Sequence, residues 1–269
     1  MSATIYRHEF ISRLRSVVIW SIASAAMLIL FFSIFPSFAD QAEYINGLFS
    51  RFPPELMAAF GLDKLNMATV LGFSGFLLIF IQLFLAIQAG NYGFGLVSIE
   101  ENEMTADFLL SKPVSRSQVF LSKALAAESS MLITVLAVWA SAFAAIGLYS
   151  GGRGYDPNTL FLMLLSLPVF QIFFLAVGLV VSLLVRRVRS VTPYSLGLAF
   201  GAYVLAAFSG ILSDVKLEYI TPFKHFDPSY IVNHNAWNGP LVLLNVAVTV
   251  VSLAVSYWLY IRRDIPAVS

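Results

Sequence analysis

Val17-Val18-Ile19-Trp20-Ser21-Ile22-Ala23-Ser24-Ala25-Ala26-Met27-Leu28-Ile29-Leu30-Phe31-Phe32-Ser33-Ile34-Phe35 is the centre of a run with no charged residue from Ser16 to Ala39. A helix rises about 1.5 Å per residue and the hydrocarbon core of a bilayer is about 30 Å thick, so roughly 20 apolar residues cross it. The run is long enough. Ser37-Phe38-Ala39 loosely imitates the small-x-small site at which a secretory leader is cut. The apolar stretch far exceeds the roughly 7 to 15 residues of a leader core, however, and the reading is a retained first span over about 16–39.

Five further apolar stretches follow, at about 70–92, 124–149, 160–185, 193–212 and 241–260. The second lies in an uncharged run from Leu65 to Ile99, the third has Glu128 near its start, and the fourth carries Pro168, which neighbouring helices tolerate in lipid. The whole chain of 269 residues is 59% hydrophobic and 12% charged, with a mean hydropathy of +0.82, too much apolar surface for a water-soluble fold to hide. The interruptions leave no room for a wide aqueous domain, so residues 1–269 read as one transmembrane domain.

With six spans both termini lie on one side. That side collects Arg7, Arg13, Arg15, Lys112, Arg116, Lys123, Arg186, Arg187, Arg189, Arg262 and Arg263, against Arg51, Lys64, Arg153, Lys216 and Lys224 on the other. The positive-inside rule therefore places both termini in the cytoplasm. Before the first span, Ile5, Phe10, Ile11 and Leu14 share a side while Arg7, Arg13 and Arg15 point elsewhere, which suggests a short interfacial amphipathic helix on the cytoplasmic surface. A basic tail that only enforces topology is the alternative.

On the outside, Pro53 and Pro54 open a short helix, Glu55 sits in its first turn and Gly61 ends it. Between spans five and six, the stretch from Asp214 to Gly239 mixes charges with Tyr219, Phe223, Phe226, Tyr230 and Trp237 and reads as a partly interfacial cap, which the sequence leaves undecided between surface and re-entrant.

The connection from Ser98 to Lys123 is the most informative. It begins acidic, with Glu100, Glu101 and Glu103, and Thr105 to Ser111 can form a short helix with Phe108 and Leu109 as apolar contacts. Pro113 stops that helix because it lacks an amide donor and restricts the residue before it, and Ser115 can cap a new one. Here the chain resembles the membrane subunits of ATP-binding-cassette exporters of the ABC-2 permease class, in Glu100, Glu101, Glu103, Thr105, Phe108, Leu109, Leu110, Ser111, Pro113, Val114, Ser115, Arg116 and Lys123. Met104 stands where the family usually has Gly. The resemblance implies a cytoplasmic coupling helix seated in a separate ATPase, with Glu100, Glu101, Glu103, Thr105, Phe108, Leu109, Pro113 and Arg116 assigned to that surface. The three glutamates meet either the ATPase or the amphipathic start of the chain, and Arg116 either meets the ATPase or holds the turn. A solvated acidic loop that balances Lys112 and Arg116 is the plainer reading.

Chemistry within the chain itself is not expected. Gly151-Gly152-Arg153-Gly154 lacks the Lys-Ser or Lys-Thr of a phosphate loop, and neither His-Glu-x-x-His nor Gly-x-Ser-x-Gly occurs. Cysteine is absent and only His8, His225 and His234 exist, so no metal site is expected. Within the spans Gln82, Gln88, Asn91 and Gln171 either line a pathway or join helices by hydrogen bonds, while Gly72, Gly75, Gly178, Gly197 and Gly201 suit close helix approach.

The expectation is therefore an all-α polytopic protein of a prokaryotic plasma (inner) membrane, acting as the permease of an ATP-driven exporter. By resemblance its partners are two cytoplasmic ABC ATPase subunits, which hold ATP and Mg, a second permease chain, identical or related, and membrane lipids, with no nucleic acid. The uncharged, aromatic interior favours a hydrophobic or amphipathic substrate. A non-transporting membrane scaffold, or a secondary carrier, is the alternative.

Overall fold

A computed structural model describes residues 2–59, 61–103, 114–185, 188–212 and 215–262. Among these residues the protein is all-α. Its long helices are α1 (Ala3–Phe32), α5 (Val70–Glu103), α6 (Arg116–Tyr149), α7 (Pro157–Leu184), α8 (Val191–Ile211) and α11 (Gly239–Arg262). Six helices are long and apolar enough to cross a membrane, and the chain is a polytopic membrane protein. Short helices fill the connections: α2 (Phe35–Asp40), α3 (Ala42–Phe49), α4 (Pro54–Ala59), α9 (Pro222–His225) and α10 (Pro228–His234).

Local chemistry explains several boundaries. Ser115 caps α6: its Oγ accepts from the Gln118 amide at 3.2 Å while the Gln118 side chain accepts from the Ser115 amide at 3.2 Å. Helix α4 begins at Pro54 with Glu55 in its first turn. It closes at Gly61, whose φ of +66° lets Gly61 N donate to Ala58 O and Leu62 N donate to Met57 O, the Schellman pattern. Asp156 caps α7 through the amides of Asn158 and Thr159, and Pro168 sits inside that helix without ending it.

The N-terminal segment departs from expectation. No break separates a surface helix from the first span, because one helix runs from Ala3 to Phe32. No glycine or proline interrupts that stretch, and its start is bound to α6 along its side. Ser2 N donates to Ser122 Oγ at 2.8 Å, Tyr6 OH to Ser129 Oγ at 3.0 Å, and Lys123 Nζ lies 3.7 Å from Glu9 Oε1. Helices α1 and α6 thus start at the same end of the bundle and run side by side. Both α5 and α6, at 34 residues, are about 51 Å long, well over the hydrocarbon thickness.

Helices α5 and α7 form the centre, with α8 against α5 and α11 against α7. Lipid gives helices no hydrophobic reason to associate, so close packing and hydrogen bonds hold them. A Cβ on Gly93 of α5 would meet the Leu175 carbonyl oxygen of α7 at 2.3 Å, and one on Gly90 would meet Ser195 of α8 at 3.0 Å. Among the expected small positions, Gly178 packs on Phe94 and Gly75 on Leu65, and Gly72 crowds the Asn66 carbonyl of the turn before it. Gly197 and Gly201 have nothing within 4 Å among the described residues.

Candidate functional site

The segment between α8 and α11 re-enters the bundle. Its α9 carries Phe223 against Phe170, Phe174 and Tyr203, with ring centroids 5.0, 6.0 and 5.7 Å away. Its His225 sits edge-on to Phe173 at 6.4 Å, 3.2 Å from Asn245 Nδ2 of α11. Pro222, Phe223, His225, Phe226, Pro228 and Ser229 are all buried. A broken helix at such depth must satisfy its own backbone. Gln82 Nε2 of α5 donates to Phe226 O at 2.8 Å, Thr221 Oγ1 donates to Ala202 O of α8 at 2.7 Å, and Asp227 accepts from the Ser229 amide at 2.9 Å as the cap of α10.

Charge accompanies this break. Lys224 Nζ lies 2.9 Å from Asp227 Oδ2, and both side chains are partly buried. Burial pushes the Asp227 carboxyl up, yet the Lys224 ammonium and the Ser229 hydrogen bonds outweigh it, so it stays below the usual carboxylate range. For His225 burial dominates and lowers the imidazole, against an upward pull from the backbone of Tyr219 and Glu218. A cavity of about 30 Å³ lies between α5, α8 and this segment, lined by Gln82, Tyr203, Phe223, Lys224 and Asp227 among others. Gln82 Oε1 is buried and has no hydrogen-bond partner among the described residues.

The other polar candidates of the spans form a seam across the bundle. Gln171 Nε2 of α7 donates to Gln88 Oε1 of α5 at 3.0 Å, and Gln88 Nε2 donates to Thr134 Oγ1 of α6 at 2.8 Å. Tyr92 OH then donates to Ser16 Oγ of α1 at 3.2 Å. Asn91 Oδ1 lies 2.7 Å from Ser195 Oγ, joining α5 to α8. Each of Gln82, Gln88, Asn91 and Gln171 thus ties its helix to another element, at about 0.6 kcal/mol and up to about 1.7 kcal/mol per interhelical bond.

Of the residues assigned to the coupling surface, Thr105, Phe108, Leu109 and Pro113 lie outside the described residues, as does the short helix expected over 105–111. Glu100, Glu101 and Glu103 stand at the end of α5, their side chains outside the description. Arg116, the first residue of α6, donates from Nη1 to Ile261 O of α11 at 3.1 Å, so the helix that leaves the connection is tied at once to the last span. His234 stacks on Tyr230 at 4.1 Å, while His225 lies among the partners above. No group of three His, Asp or Glu side chains gathers to hold a metal among the described residues.

Sequence reasoning had no signal for the pairing of Gln82 with Phe226, 144 residues apart, nor for the close approaches at Gly90 and Gly93. Two glycines three apart on α5, at the level of Asn91, are the only trace of the latter. No curated relative matches the chain. The pattern of the ABC-2 family transporter proteins matches it over residues 3–265, nearly end to end, and the chain belongs to that family.

Proposed function

We propose that this chain is the permease subunit of an ATP-driven exporter: it forms the membrane path, and a separate cytoplasmic ATPase supplies the work. Family membership across residues 3–265 carries the reading. Two permease chains, identical or related, pair around a central path and bind two ATPase subunits, with ATP and Mg held on the ATPases. Both termini and the connection around residues 104–113 face the cytoplasm of a prokaryotic cell.

The capped start of α6 supports a connection that transmits force. Closure of the ATPases moves that connection, and α6 passes the motion to α1 through Ser122, Lys123 and Ser129 and to α11 through Arg116. Phe170, Phe173, Phe174, Phe223 and Phe226, all buried in one cluster, give an interior with few ligands for a hydrated ion. The substrate is accordingly hydrophobic or amphipathic.

Replacing Phe108 and Leu109 by Asp and purifying the chain under mild extraction tests the coupling surface. The unaltered chain brings down an ATPase in fixed proportion and the double variant loses it. Equal recovery of the ATPase with both, and equal transport, would remove these residues from the interface. A consistent absence of any ATPase would favour a scaffold.

A further inference from the structure

The connection between α1 and α5 crosses the end of the bundle farthest from Ala3. Helix α2 follows α1 after a two-residue turn, with Phe35 fully buried in the core at that end. Arg153 pairs with Asp40 and lies over the Phe35 ring. At the far side, α4 is pressed onto the end of α8, where a Cβ on Gly210 would meet Ala58 O at 2.5 Å. Helix α3 is therefore held between two fixed points at that end of the bundle.

One side of α3 turns inward through Phe49, which packs against the core at that end. Its next side does not. Tyr44 is 69% exposed and Leu48 41%, one helical turn apart on α3, and Phe52 in the turn that follows and Leu56 on α4 are exposed at 42% and 44%. Charges alternate with them in sequence as Glu43-Tyr44, Arg51-Phe52 and Glu55-Leu56. Aromatic and aliphatic side chains interleaved with both signs of charge suit a zwitterionic headgroup layer over acyl chains. Leu30 and Phe31 at the end of α1, and Ile34 in the turn that leads into α2, are exposed as well, so apolar side chains stay open on the stretch of chain that enters α2 and α3.

We propose that α3 is an interfacial anchor that lies in the leaflet at that end of the bundle, the outer leaflet in the orientation given above, with Tyr44 and Leu48 at the boundary between headgroups and acyl chains. Through α4 it ties the outer end of α8 to the membrane surface.

The chain has no cysteine, so single spin labels can be placed without background. Tyr44→Cys, Leu48→Cys and Glu43→Cys, all at exposed positions, are labelled in the full chain reconstituted into phosphatidylcholine and phosphatidylethanolamine vesicles. Collision with dissolved oxygen is then compared with collision with a neutral nickel chelate. At positions 44 and 48 the label should meet oxygen readily and nickel severalfold less than the label at position 43, which points about 100° and about 140° round the helix from them. Nickel reaching position 48 as freely as position 43 would place α3 in water. Exclusion of both reagents from position 48 would mean that protein covers the face. Either result overturns the proposal, and neither bears on whether an ATPase binds the opposite end.

Discussion

The segment Ala3–Asp40 and the helix Val70–Ser98 are almost equally apolar, with mean hydropathies of 2.4 and 2.5 over their most apolar windows, yet 22% of the first window is buried within the protein and 67% of the second. Lipid and a protein interior are nearly the same solvent to a Leu or Phe side chain, so hydropathy reports the membrane and is silent about neighbours. The difference lies in the residues that are not apolar. Helix α5 carries Gln82, Gln88, Asn91, Gly90 and Gly93, each engaged by another element. The middle of α1 carries serines and alanines and meets one main neighbour, α6.

The largest effect should come from filling the tightest approach. Gly93→Val has no room before the Leu175 backbone and should cost about 1–3 kcal/mol or more, seen as a marked drop in the thermal midpoint of the purified chain in detergent. Gly197→Val, on the open face of α8, should leave that midpoint nearly unchanged. Equal losses from the two would break the division between central and peripheral helices.

Asp227→Ala comes next. It removes the α10 cap and leaves Lys224 partly buried without its carboxylate, an expected loss of about 2 kcal/mol by the same assay. A neutral result would mean that the re-entrant segment is held by its aromatic packing alone.

The smallest effect is one of pH. Burial lowers His225 from its ordinary value of 6.5, so the folded state prefers the neutral ring. Its contribution is intact above that value and is lost as pH falls toward the lowered folded value. Between about pH 7 and pH 5 the midpoint of the unaltered chain should fall more than that of His225→Gln. Parallel pH curves would assign the acid sensitivity to other groups.

Much of this architecture is legible without coordinates. The apolar runs mark six helices, Ser115 marks the start of α6, and Pro54 with Gly61 brackets α4, because each rests on local chemistry. The continuity of α1 was not legible: Arg7, Arg13 and Arg15 resemble a surface helix, and the residues that hold it straight are on α6, more than a hundred positions away. For the same reason the re-entry of residues 221–228 stays hidden. Its mixture of Lys224, Asp227 and aromatic residues is what a surface cap would also show, and only Gln82, Ala202 and Asn245 on three other helices reveal its depth.

Docking to a cytoplasmic ATPase requires that the connection after α5 face the cytoplasm. Ser111→Cys in the otherwise cysteine-free chain, probed with a membrane-impermeant thiol reagent, decides this directly. The label should be absent from intact cells and strong in inside-out vesicles. Labelling from outside intact cells would reverse the topology and detach the chain from any cytoplasmic ATPase.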